Sequence, residues 1–321
     1  LQTALLASFA LGACSTPPAA EQQAPAEPGH RVLTQGKGKL CLLERNGEVS
    51  WQMPWGGIHD LHVLPSGNIM CQRGAATIVE IDRDTQQVVW EYDAGKSNGN
   101  AGKRVEVHAF QPLPDGRIMI AESGPARILE IDREGRIQSE TKLKVDRPHT
   151  HTDTRLVRKI AADRYLVCHQ RDGYVREYEQ GTGKVVWEYD VPMFDRTSKG
   201  GHGLAAFGDK CFCALRLANG NTLIATGNGH SVLEVTPSQQ IVWQLSQDDL
   251  EGIRFAWVTT LEVLANGNYV IGNCHAGPGQ PVLVEVDPRN KQVVWQLDQF
   301  DQLGNAVSNS ALLGAKTPRS R

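Results

Sequence analysis

The stretch RPHTHTDTRLV (147–157) places two histidines, an aspartate and two arginines in eleven positions, in a chain with ten histidines altogether. Imidazoles support three kinds of chemistry. Neutral rings are common ligands for zinc, copper and iron. Protonated rings beside Arg147 and Arg171 bind sulfate, phosphate or carboxylate. A ring that titrates near neutral pH serves as nucleophile or general acid and base. Which applies depends on what else reaches the same place. Counting five residues back from a recurring leucine finds His59 before Leu64, His108 before Leu113 and His151 before Leu156. The shared offset gives these three equivalent positions. As metal ligands they would leave an open coordination position. They are also the candidates for catalysis, with no one of them singled out.

The elements that position them come from a repeat. HDLHVLPSGNIM (59–70) matches HAFQPLPDGRIM (108–119), and LRLANGNTLI (215–224) matches LEVLANGNYVI (261–271). A further copy fills 151–189. The turn positions Gly67, Gly116, Asp163, Gly220 and Gly267 step by 49, 47, 57 and 47 residues. Each copy reads as four short strands: one ending in Leu-Pro or Leu-Ala, a Gly-Asn type turn, an alternating apolar strand, a strand ending in EID or EVD, then VVW. Four strands per period of about 40–50 residues is the pattern of β-propeller blades. Residues 31–54 supply three strands and residues 304–315 the missing fourth. The expected fold is therefore all-β: a six-bladed propeller over 30–315, closed by N- and C-terminal strands in one blade. Trp51, Trp90, Trp187, Trp243 and Trp295 recur at matching positions and read as packing between blades.

On such a blade, eight of the ten histidines map to one face. His59, His108 and His151 begin inner strands. His169, His230 and His275 fall near the second-to-third turns. His149 and His202 lie between blades, as do Arg147 and Arg254, and Trp257 sits near the start of the fifth inner strand. Arg73, Glu122, Arg171 and Asp172 are expected in turns at the same end. His30 belongs to the linker and His62 to a strand. SKGGHGLAAFGDK (198–210) is an insertion placed to cover part of the axis. A histidine serving only the fold would recur in every copy, whereas Phe212, Thr259 and Ser308 stand at the equivalent positions elsewhere.

TGKVVWEYDV (182–191) and TQQVVWEYDA (85–94) resemble the repeat of the pyrroloquinoline-quinone-binding-like propellers. HDLHVLPSGNIM and ALRLANGNTLI (214–224) resemble the first two strands of the bacterial arylsulfotransferase-like propellers. Together these cover 30–315 and imply a propeller found in enzymes, in envelope assembly scaffolds and in lipoproteins. The second implies a histidine nucleophile at the axis. Bound quinone is disfavoured: the chain has no adjacent cysteine pair and is short beside the quinone dehydrogenases. The cofactor stays open, with a transition metal as the candidate ahead of the quinone.

Leu11-Gly12-Ala13-Cys14 resembles the bacterial lipobox, which implies lipidation at Cys14. Residues 1–13 then read as the remnant of a signal peptide. Residues 14–29 form a Pro/Ala/Gln linker and 316–321 a tail. The serine after the cysteine favours the outer membrane, on the periplasmic side. A net charge of −3 with no basic patch argues against nucleic acid as a partner. The other six cysteines have no disulfide or zinc spacing and read as buried thiols. Partners are thus a small-molecule ligand or envelope proteins, with the membrane reached through the anchor. The leading function is binding of a small anionic or metal-linked ligand at the histidine-rich axis. The alternatives are an arylsulfotransferase-like or metal-dependent enzyme using the same histidines, and an envelope assembly scaffold.

Overall fold

The computed structural model describes residues 29–208 and 210–314. Regular structure among them is antiparallel strand, apart from one four-residue helix, Phe300–Leu303. No helix among them is long and apolar enough to cross a membrane. Cys14 and its linker lie outside the described residues.

Each repeat copy folds into one antiparallel run of four strands. Leu61–Val63, Ile69–Arg73, Thr77–Ile81 and Val88–Asp93 form one sheet, in chain order. The runs starting at Glu106–Pro112 and at Val157–Ala161 form two more. The runs starting at Lys210–Arg216 and Trp257–Val263 join into one eight-stranded sheet through a single pairing of Gly227 with Val258. In the remaining sheet the last strand, Ser310–Leu313, pairs with Arg31–Gly36, so Arg31 lies opposite Leu313. Sequence alternation sets the layering. Second strands such as Ile118–Ser123 are buried throughout, while outer strands such as Val49–Pro54 alternate.

The first-to-second turns need glycine. Gly67, Gly116, Gly220 and Gly267 have φ of 90°, 85°, 88° and 88°, the left-handed region that side chains avoid. The recurring tryptophans do more than pack. Trp51 donates to the Arg83 carbonyl at 2.9 Å, Trp90 to Arg133 at 2.7 Å, Trp187 to Pro237 at 3.0 Å and Trp243 to Pro288 at 2.8 Å. Each acceptor belongs to the four-stranded run that follows, so the indole latches one run to the next. The run starting at Glu106–Pro112 has Ser139 at this position and is joined instead by a Gln180–Ser139 hydrogen bond of 2.9 Å. Trp295 meets His30 edge-on, with ring centroids 4.8 Å apart. His30 also lies 2.6 Å from Glu285, so it is part of the packed structure and not of the linker. Cys41, Cys71, Cys168, Cys211, Cys213 and Cys274 are buried free thiols.

Candidate functional site at the axis

The inner strands of successive runs lie against one another and bring their first residues together. His59 precedes Leu61–Val63, His108 lies in Glu106–Pro112, and His151 lies in the loop before Val157–Ala161. The ring centroids of His59 and His108 are 4.5 Å apart, of His108 and His151 5.1 Å, and of His59 and His151 6.0 Å. The residues that share an offset in the sequence thus form one cluster.

Glu106 completes the cluster. Its Oε2 lies 3.2 Å from His108 Nε2 and 2.6 Å from His151 Nδ1. Arg104 donates to its Oε1 at 2.9 Å. The sequence held a signal for it: glutamate stands two residues before His108, on the same face of a strand. The ligand atoms of Glu106, His108 and His151 lie within 4.8 Å of one another. Two bonds from a zinc-like ion, each about 2.0–2.2 Å, span a little over 4 Å, so small side-chain rotations would let one ion touch all three.

The electrostatics favour neutral rings. Burial is the largest influence on His108 and pushes it down to about 4, against the pull of Glu106. Burial likewise holds His59 well below the ordinary histidine value, helped by His108, Arg155 and His151. His59 Nδ1 is buried without a hydrogen-bond partner. Glu106 is held below the carboxylate range, first by its contact with His108, against burial, then by His151 and Arg104. These facts conflict at one atom. His108 Nδ1 lies 2.9 Å from the Thr154 carbonyl, an acceptor, so the ring places its proton there. A neutral His108 then aims an Nε2 lone pair at the Glu106 carboxylate. A second proton would resolve that contact, and burial opposes it. A cation between the two atoms would resolve it as well.

Below the cluster, Asp60 closes the axis. Its oxygens take Arg158 at 2.7 and 2.9 Å, the Leu61 and Phe110 amides at 3.0 and 3.1 Å, and Asn309 at 3.1 Å. Burial pushes the Asp60 carboxyl up, but Arg158 and His62 outweigh it and hold it at about 2. Three inner strands and the chain's last strand therefore converge on one ion pair.

The other sequence candidates separate into distinct places. His202 stacks on Trp257 at 5.0 Å and contacts His275 at 4.7 Å, so the 198–210 insertion does fold onto an inner strand. His169 uses both nitrogens internally, on the Asp153 carbonyl and the Tyr178 hydroxyl, each at 2.8 Å, which leaves none for a ligand. His230 is buried with Nε2 against the Ala206 carbonyl. His149 is exposed and bonds Thr152 at 2.9 Å. Arg147 and Arg171 line a separate cavity with Asp172 and Lys210. Arg73 ends its strand and Glu122 is the last residue but one of its own, so neither lies in a turn. Arg254 pairs with Asp248 at 2.6 Å.

Four-stranded antiparallel sheets whose inner strands meet at a histidine-lined axis define a β-propeller-class protein. Within that class the chain belongs to the PQQ_2 family, described as outer membrane protein assembly factor BamB, whose sequence model matches residues 36–297. The quinone-type repeat expected from VVWEY is thereby borne out. No curated protein matches the chain. Among solved structures it is similar to a protein of unknown function from Bacteroides caccae, at 24% identity and TM-score 0.72, over 89% of this chain and 99% of that one. It also resembles a catalytically inactive histidine-to-alanine form of virginiamycin B lyase from Staphylococcus aureus with quinupristin, at 13% identity and TM-score 0.52, over 84% of each chain. The WD40 β-propeller domain of Doa1 matches at 12% identity and TM-score 0.52, over 75% of this chain and 71% of that one. These likenesses bear on the fold.

Proposed function

We propose that this chain is a six-bladed propeller of the cell envelope that holds a divalent transition metal at the upper mouth of its axis. His108, His151 and Glu106 are the ligands, with His59 beside them. Two imidazoles and one carboxylate suit zinc or ferrous iron and leave coordination positions open for a small anionic ligand. The observation that carries this reading is the His108 Nε2 lone pair facing the Glu106 carboxylate at 3.2 Å, with the ring's other nitrogen committed to Thr154. The pairing of Arg31–Gly36 with Ser310–Leu313 supports a closed ring. The family description supports the envelope. Anchoring through Cys14 fits the same reading, and Cys14→Ala should release the protein from membranes.

Titration of the metal-free full chain with cobalt(II), read by its visible absorption, tests the site. The reading expects one saturable site, lost in His108→Ala and retained in His169→Phe. Absence of a bound-cobalt spectrum in the wild-type chain overturns it.

A second reading has a specific support. The solved lyase is named inactive when a histidine becomes alanine, and His59 Nδ1 here has no partner. An enzyme of lyase or sulfotransferase type would use these histidines without a metal. Turnover of a substrate by the metal-free chain would favour it.

A further inference from the structure

The opposite ends of four inner strands, Glu106–Pro112, Val157–Ala161, Lys210–Arg216 and Trp257–Val263, frame a cavity beyond the Asp60–Arg158 pair. Its volume is about 470 Å³, within the range of about 300–1,000 Å³ usual for small-molecule sites. Ile160, Leu215, Leu261 and Val263 give it apolar walls, and Tyr269 and Glu262 also face it.

Three cations line the cavity, and each already has an acid. Arg158 holds Asp60 in two bonds, Lys159 holds Glu130, and Arg216 reaches Glu177 at 2.6 Å. Glu262 differs. Its Oε1 accepts the Leu312 amide at 3.1 Å, and it forms no ion pair among the described residues. The field of Arg158 reaches it, but that guanidinium is spent on Asp60. Lys159 and Arg216 are likewise neutralised by their own partners. Burial pushes the Glu262 carboxyl up to about 7, with the Leu312 amide and Arg158 pulling the other way.

An acid without a counter-ion among aliphatic walls is the complement of an ammonium on an apolar body. The ion pair would satisfy the free oxygen, and the apolar body would displace water from the walls. We propose that this lower cavity binds a small primary amine with a compact apolar skeleton, Glu262 serving as its counter-ion. The site is independent of any metal at the upper mouth.

Calorimetric titration of the full chain with cyclohexylmethylamine tests it, with cyclohexylmethanol as the uncharged control. The amine should bind saturably and more tightly than the alcohol. Binding should weaken about tenfold from pH 8 to pH 6, because the acid must give up its proton first. Glu262→Gln should weaken the amine at least about tenfold and remove this pH dependence. Ala218→Trp, at an exposed rim position that buries nothing, should block binding by both compounds if the cavity is the site. Thermal midpoints of both variants establish that they fold. Absent amine binding, equal binding of amine and alcohol, or a Glu262→Gln chain that binds the amine as the wild type does, would each overturn the proposal.

Discussion

The two ends of the axis share the inner strands Glu106–Pro112 and Val157–Ala161 and hold opposite groups. At the upper end, burial drives His59 and His108 to their neutral form by lowering their affinity for protons. At the lower end, burial raises the affinity of Glu262 for its proton. One physical cause, loss of solvation, thus makes an electron-pair donor at one mouth and a hydrogen-bond donor at the other. Asp60 and Arg158 stand between them, and there the geometry is dense enough to keep both charges. Asp60 keeps its charge because hydrogen bonds saturate it, whereas Glu262, with one amide bond and no counter-ion among the described residues, holds its proton more tightly.

The sharpest way to break this comparison is Asp60→Asn. It leaves Arg158 buried without its acid and should cost about 3–5 kcal/mol in denaturant unfolding. A loss below about 1 kcal/mol would mean that the ion pair is not what divides the axis. Next in size, His108→Ala should weaken cobalt by more than the about 10–100-fold typical of outer-sphere changes, while Glu262→Gln leaves cobalt binding unchanged. Absorbance titrations of both variants check this independence. Smaller again, Trp90→Phe removes the 2.7 Å latch to Arg133, far from both mouths. It should lower stability by about 0.5–1.5 kcal/mol without affecting either site.

The mildest effects are in pH. Glu262 titrates near 7 folded against 4.5 ordinarily, so its contribution to stability is full below 4.5 and lost as pH rises through 7. His169 is pushed by burial down to about 4 from 6.5, so stability is lost as pH falls from 6.5 towards 4. Between about pH 4.5 and 6.5 the two contributions oppose each other, so Glu262→Gln should make the denaturant midpoint rise more steeply with pH there and remove the loss as pH approaches 7.

Much of this was legible in the residues. The glycine turns and the VVW strands carried the four-stranded runs, because backbone conformation and burial repeat wherever the fold repeats. The offset from the leucine located His59, His108 and His151 together. Glu106 escaped because it precedes the span over which the copies align, although its two-residue spacing from His108 was there to read. Mapping eight histidines to one face did not distinguish a ring with free nitrogens from one such as His169, whose partners come from Asp153 and Tyr178. Nothing in the residues around Glu262 singles it out; its isolation depends on Asp60, Glu130 and Glu177 having claimed the nearby cations. Asp60 and Arg158 are 98 residues apart, with no pattern to link them.

The strand order also sets a clock. Arg31–Gly36 gains its inner neighbour only when Ser310–Leu313 has been made. At about 5–20 residues per second, the ribosome needs roughly 15–60 seconds to travel from one to the other. Through that interval the edge carrying Val32 and Leu33, both buried in the finished protein, lies bare and able to pair with any other strand it meets.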